Sequence, residues 1–243
     1  MELNFRIFRF DPEVDLEPRY QRYRVTADPT ERILDCLNRI KWEQDGSLSF
    51  RMSCGHGVCG SDALRINGRC ALACQKLVKD VAEADEVLVE PLPSFKVLKD
   101  LVVDLEPFFE KVRWVQPYLL GGDHFPEKER LQPPEERKKL DHVIRCILCA
   151  CCMGACPVTA ENERFLGPAP LVWAFRYLFD SRDQEKERRL HAVDTQDGAW
   201  GCRNHFECTR VCPKEIPVTK SINMIKREIE KERRSTGKEK NHV

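Results

Sequence analysis

The sequence predicts an α+β chain in two parts, a mixed strand-and-helix domain over residues 1–100 and an all-helical domain over 101–243. Three observations carry that prediction. The first hundred residues alternate apolar and polar side chains in short runs divided by Pro, Asn and Gly, as strands and turns do. In the second half the apolar residues fall three or four places apart, the period of a helix. The thirteen cysteines gather in runs, one in the first part and two in the second.

Taken in order, Leu3 to Phe10 and Tyr20 to Thr26 read as two strands joined by the acidic turn DPEVDLEP. Asp28-Pro29-Thr30-Glu31 then carries a helix-start pattern, with Asp28 as cap, Pro29 at the first helical position and Glu31 reaching back. Ile33, Leu34, Leu37 and Ile40 form one apolar face of that helix, and Cys36 within it reads as a core cysteine. Past a cysteine loop, Ala63 to Ile66, an Asn67-Gly68 turn and a return strand make a hairpin. VLVEPLP adds a last strand, and the domain boundary falls between Leu92 and Leu105. In the second half, PPEERKKLDHVIRC, GPAPLVWAFRYLFDSRD and Val218 to Arg233 read as helices, the last with Ile222, Ile225 and Ile229 on one side. The final stretch, KREIEKERRSTGKEKNHV, reads as a solvated helix end and frayed tail.

Composition excludes several classes. Lysine plus arginine equals aspartate plus glutamate, 40 each, so nothing marks a nucleic-acid binder. MELNFRIFRF is charged and alternating, unlike a signal peptide, and no apolar run reaches the roughly 18–20 residues of a membrane span. The most apolar stretch, Phe165 to Phe175, holds two prolines between Arg164 and Arg176. An odd cysteine count in a chain of 243 residues argues against a disulfide-stapled scaffold, and clustering argues against simple core filling. The cysteines are expected to be ligands.

Their spacing says of what. CILCACCMGACP sets Cys146, Cys149, Cys152 and Cys156 at intervals of two, two and three residues, with Pro157 after, the bacterial ferredoxin run. In such runs the first three thiolates grip one cubane and the fourth serves a neighbouring cluster. CRNHFECTRVCP is the partner run: Cys202, Cys208 and Cys212 match Cys146, Cys152 and Cys156, and His205 stands where Cys149 would. Crossing the fourth ligands gives a 4Fe–4S set of Cys146, Cys149, Cys152 and Cys212. The other set, Cys156, Cys202 and Cys208, lacks a fourth thiolate. It predicts a 3Fe–4S cluster, with a His205-ligated cubane as the alternative.

The first run, CGHGVCGSDALRINGRCALAC, begins as the plant-type 2Fe–2S pattern does, with four residues between Cys54 and Cys59. The third place is held by Asp62, and a spare Cys70 precedes Cys74. A damaged loop, a different metal site and a cluster with one oxygen ligand all remain open on spacing alone. Cys36, Cys70 and Cys151 are left over, Cys151 as a packing or hydrogen-bonding thiol. A β-grasp 2Fe–2S ferredoxin-like domain followed by an all-α, bacterial-ferredoxin-like domain fits the whole pattern.

Together SCGHGVCGSDALRINGRCALAC, CILCACC, FLGPAPLVWAFRYLFDSRD and VCPKEIP resemble the iron–sulfur subunits of succinate dehydrogenase and fumarate reductase, the complex II family, over nearly the whole chain. CILCACC resembles the succinate dehydrogenase branch more than typical fumarate reductases. Some bacterial members carry aspartate at the place of Asp62, so the resemblance implies 2Fe–2S ligation by Cys54, Cys59, Asp62 and Cys74, with Cys70 as packing.

It further implies a partner flavoprotein that carries the FAD and oxidises succinate. Electrons would pass through 2Fe–2S, 4Fe–4S and 3Fe–4S to a quinone held at membrane-anchor subunits, which in the family can carry haem b. The chain would lie on the cytoplasmic face of a bacterial plasma membrane. Pro157, Arg203 and His205 are the candidate quinone contacts. Many ubiquinone-reducing relatives have a tryptophan-rich aromatic pair where this chain has Ala160 and Glu161, and a histidine at the place of Arg203. His56 falls outside the 2Fe–2S ligand set. These departures make menaquinone, or fumarate reduction in the reverse direction, the alternative to succinate oxidation with ubiquinone. A stand-alone iron–sulfur sensor and a zinc-stabilised structural protein are the competing classes.

Overall fold

The computed structural model describes residues 1–81, 86–121 and 127–235. They divide into two compact units, one of residues 1–107 with 147–155 and 211–213, the other of residues 108–146, 156–210 and those from 214 onward.

In the first unit β1 (Glu2–Arg9) and β2 (Arg19–Thr26) pair antiparallel, Phe5 opposite Tyr23. α1 (Ile33–Arg39) follows, continued by a wider helical turn over Ile40–Gln44. The hairpin of β3 (Ala63–Ile66) and β4 (Arg69–Leu72) turns on Asn67 and Gly68, both at positive φ (46° and 79°), as a two-residue turn matching strand twist requires. β5 (Glu86–Glu90) lies parallel to β1 and antiparallel to β3, giving one five-stranded sheet in the order β2-β1-β5-β3-β4. Two short strands, β6 (Val97–Lys99) and β7 (Val102–Val103), pair apart from it. Alternation puts Leu3, Phe5, Ile7, Val87 and Val89 inside, with Ile33, Leu37 and Ile40 from the helix, all buried. Cys36 is fully buried among them.

The expected helix start at Asp28 is displaced. The reciprocal hydrogen bonds of a cap do form, Asp28 Oδ1 accepting from the Thr30 N–H at 2.8 Å and Glu31 Oε2 from the Asp28 N–H at 2.7 Å. They close a turn instead of a helix. Arg32 is extended and bridges to Leu77, so the helix begins only at Ile33.

One buried cation has no sequence signal. Arg9 (3% exposed) donates to Asp100 at 3.0 Å, Tyr23 at 2.5 Å, Asp45 at 2.5 Å and Ser47 at 2.7 Å. Asp100 also accepts the N–H groups of Phe10 and Ser49. This knot ties the end of β1 to the turn after α1 and to the loop between β6 and β7. Burial pushes the Asp45 carboxyl upward, but hydrogen bonds from Ser47, Tyr23 and Arg9 win and hold it below the carboxylate range.

The second unit is helical: α2 (Glu106–Trp114, its residues from Phe108 on), α3 (Pro134–Lys138), α5 (Pro157–Glu161), α6 (Pro168–Leu178), α7 (Lys186–Val193), α8 (Glu207–Arg210) and α9 (Val218–Ser235). α4 (Cys151–Gly154) belongs to the first unit, packed on β4. The apolar stretch from Phe165 to Phe175 is core: Leu171, Val172 and Phe175 of α6 are buried, and α9, which packs on α6, buries Ile222, Ile225 and Ile229. Each such burial is worth about 1.5–3 kcal/mol. Among the described residues no helix is long and apolar enough to cross a membrane. Helix α9 runs on to Ser235; the tail expected to fray, residues 236–243, lies outside the described residues.

Candidate metal centres

The loop from Cys54 to Asp62 is built to hold negative charge. Three N–H groups, those of His56, Val58 and Cys59, point at the Cys54 sulfur at 3.3, 3.4 and 3.3 Å. They pull the Cys54 thiol down to about 6, so it is largely thiolate at neutral pH. A fourth N–H, from Gly57, points at the Cys74 sulfur at 3.2 Å. Cys59 is exposed, its sulfur 3.2 Å from the Ser61 hydroxyl. His56 is exposed at the loop surface.

Asp62 decides whether the oxygen ligand fits. It is 2% exposed, and its Oδ2 accepts the Cys74 N–H at 2.5 Å. Its Oδ1 is buried with no hydrogen-bond partner. A carboxylate oxygen buried without a partner is costly unless a cation takes it. Burial, with Asp62 beside it, pushes the Cys74 thiol up to about 12. Cys70 is buried and its thiol is pushed up to about 11 by that burial. Its sulfur packs 3.3 Å from where a Cβ on Gly154 would stand.

The two bacterial-type runs share a backbone. Leu148 and Ala150 are left-handed (φ 54° and 63°), and so are Asn204 and Phe206 (φ 60° and 65°), each 56 positions on. Leu, Ala and Phe have no side chain that favours this region, which costs about 1–3 kcal/mol a residue and persists where surroundings enforce it. Alternating right- and left-handed residues turn successive N–H groups into one concavity, the nest that binds phosphates and iron–sulfur clusters. The match of Cys202 with Cys146 and of Cys208 with Cys152, read from spacing, therefore has a conformational counterpart. Nothing in the residue types announces it.

Within the first unit, buried Cys151 hydrogen-bonds Cys149, lowering the Cys149 thiol below its ordinary value and raising its own. Gly60 packs so closely on Cys149 that an added Cβ would lie 2.8 Å from the Cys149 Cβ. The loop around the first expected ligand set thus touches Cys149, an expected ligand of the second.

Within the second unit, Cys156, Cys202 and Cys208 line one partly open pocket, together with Pro157, Arg203 and His205. His205 is exposed, as is Arg203, whose guanidinium donates to Glu161 at 2.6 Å. The side chain expected to contact a quinone thus has a carboxylate beside it. No disulfide joins any of the thirteen cysteines. Among the described residues no three His, Cys, Asp or Glu side chains converge on a point that a single metal ion could fill.

The comparisons agree with this chemistry. A profile for the 2Fe–2S iron–sulfur cluster binding domain matches residues 4–110, and one for the 4Fe–4S dicluster domain matches residues 142–216. A succinate dehydrogenase iron–sulfur subunit of Coxiella burnetii is 42% identical over 236 residues, 96% of this chain and 99% of that one. This chain belongs to the succinate dehydrogenase iron–sulfur subunit family. The mitochondrial succinate dehydrogenase [ubiquinone] iron–sulfur subunit of Candida glabrata is also 42% identical, over 229 residues, 93% of this chain and 90% of that one. A chain of the Mycobacterium smegmatis Sdh1 complex in the apo form superposes with a TM-score of 0.84 at 27% identity, over 96% of this chain and 97% of its own. The iron–sulfur subunit is an electron-transfer component of the succinate dehydrogenase enzyme, its α+β architecture carrying 2Fe–2S and 4Fe–4S cluster-binding domains.

Proposed function

We propose that this iron–sulfur subunit carries electrons from an FAD-bearing flavoprotein, which oxidises succinate to fumarate, to a membrane quinone. Cys54, Cys59, Asp62 and Cys74 hold a 2Fe–2S cluster within residues 1–100. Cys146, Cys149, Cys152 and Cys212 hold a 4Fe–4S cluster, and Cys156, Cys202 and Cys208 a 3Fe–4S cluster, within residues 101–243. When bound, such clusters each pass one electron at a time, dividing a two-electron oxidation into single steps. The protein's own part is to hold the ligands apart, exclude water and aim N–H donors at sulfur.

The observation that carries this reading is the repeated left-handed pair, Leu148/Ala150 and Asn204/Phe206, around two runs that differ in one ligand. His205 lines the pocket of the second run but is exposed, which supports a three-iron cluster there over a histidine-ligated cubane. The oxidised complex then gives the electron spin resonance signal of 3Fe–4S, and its absence refutes the assignment.

Membrane-anchor subunits, with or without haem b, supply the quinone site on the cytoplasmic face of the plasma membrane. Pro157, Arg203 and His205 line the pocket of the third ligand set and are the proposed quinone contacts. The Arg203–Glu161 ion pair at the place of the aromatic pair supports menaquinone. The intact complex, assayed in both directions with ubiquinone and menaquinone analogues, tests direction and quinone together. Faster fumarate reduction than succinate oxidation with the menaquinone analogue would establish the reverse activity instead.

A further inference from the structure

Behind the third ligand set lies a pair of threonines that the sequence does not single out. Thr219, at the start of α9, is 1% exposed. Its hydroxyl oxygen stands 3.4 Å from the Cys208 sulfur and 3.1 Å from the Thr209 hydroxyl oxygen. The Thr219 N–H donates to that same Thr209 oxygen at 3.1 Å. Distances alone leave the direction of the two hydroxyl bonds open.

Iron ligation removes the ambiguity. A ligating cysteine is a thiolate and has no proton to give, so the Thr219 hydroxyl must donate to sulfur. A hydroxyl has one proton, so Thr219 can then only accept from Thr209. The backbone N–H of Thr219 occupies an acceptor site on Thr209, leaving the Thr209 proton for the Thr219 oxygen 3.1 Å away, while Thr209 also bears directly on the Cys208 sulfur. One chain results, N–H of Thr219 to Oγ1 of Thr209 to Oγ1 of Thr219 to Sγ of Cys208, with every proton pointing toward the cluster. Bonds aligned in this way polarise one another, and burial strengthens each.

We propose that Thr219 is a positioning residue for the reduction potential of the third cluster, donating its hydroxyl proton to the Cys208 sulfur under the direction of Thr209. The proposal rests on the reading that Cys156, Cys202 and Cys208 hold that cluster. One-electron reduction adds negative charge that spreads onto the sulfurs, and a donor aimed at sulfur stabilises the reduced form more than the oxidised one. Hydrogen bonds to cluster sulfurs are among the determinants of potential. The chain therefore raises the potential of the electron's last stop in this subunit.

The test is a redox titration of the intact complex, followed by the spin resonance signal of the oxidised three-iron cluster. Thr219→Val removes the hydroxyl but keeps the branch at Cβ and the N–H bond to Thr209, and it shifts the midpoint to a lower potential. Thr219→Ser restores the donor and the wild-type midpoint. Thr209→Val removes only the second hydroxyl and lowers the midpoint by less than Thr219→Val does. A wild-type midpoint in Thr219→Val, or equal shifts in Thr219→Ser and Thr219→Val, overturns the proposal. A complex with no three-iron signal even before substitution overturns the ligand assignment, and the proposal with it.

Discussion

Gly60 offers a test of how closely the first ligand loop is fitted against the second. Its φ is 73°, and an added Cβ would lie 2.8 Å from the Cβ and 2.9 Å from the Cα of Cys149. Gly55, in the same loop, has φ 66° but nothing within 4 Å of such an atom. The two glycines separate conformational from steric cost. Gly55→Ala should lose about 1–2 kcal/mol, the cost of placing an L-residue in the left-handed region. Gly60→Ala bears the same cost plus about 1–3 kcal/mol for a methyl forced into packed surroundings.

For a chain of this length each kcal/mol is worth about 2–4 °C in midpoint. Thermal unfolding of the assembled complex should therefore place Gly60→Ala at least about 2 °C below Gly55→Ala. The methyl also presses on the backbone of Cys149, a proposed cluster ligand. The Gly60 variant should consequently lose iron faster on dilution into chelator, while the Gly55 variant keeps the wild-type rate. Equal midpoints and equal iron loss in the two variants would refute the claim that the loop is in contact with Cys149.

Four further substitutions probe the ligand sets and the fold. Cys70→Ser should leave the 2Fe–2S spin resonance signal intact, while Asp62→Ala abolishes it and strands the Cys74 N–H. The reverse pattern would make Cys70 the ligand. His205→Cys should supply the missing thiolate, replacing the three-iron signal of the oxidised complex with a silent cubane; a persisting three-iron signal would sink the one-ligand argument. Asp45 is held below the ordinary carboxylate range, so its contribution is fully present above the unfolded value of 3.8 and is lost as pH falls below it. Denaturant midpoints measured from pH 5 to 3 should accordingly fall more steeply in the wild type than in Asp45→Asn, and parallel slopes would remove the Arg9 knot as the cause.

What could be read from the chain beforehand was whatever repeats or alternates. Leu3, Phe5 and Ile7 announce a strand, Asn67-Gly68 a hairpin, and three evenly spaced cysteines a cluster. What stayed hidden depends on residues far apart in sequence. Arg9 looks like any charged residue on an alternating strand until Asp45 and Asp100 fold against it. Asp28 and Glu31 carry the chemistry of a helix cap and make its hydrogen bonds, but the Arg32–Leu77 bridge delays the helix to Ile33. Thr209 and Thr219 are ten residues apart with no motif between them.

The two bacterial-type runs separate two properties that a count of cysteines merges. At 149 and 205 the side chains differ in kind, thiol against imidazole, yet the left-handed pairs around them are the same. The left-handed backbone pair belongs to both runs; the proposed fourth-ligand position belongs to one side chain. Under the proposed ligand sets, a chain can therefore change the number of irons at a site by one substitution while leaving its N–H cage in place. The entry loop follows the same logic with Asp62. Its N–H donors converge on Cys54 and Cys74 sulfur, and the residue at the third cysteine's place in the sequence, Asp62, keeps one buried oxygen without a partner. Cage and ligand are chosen independently, which is why one departure from the cysteine pattern in each loop leaves the relay legible.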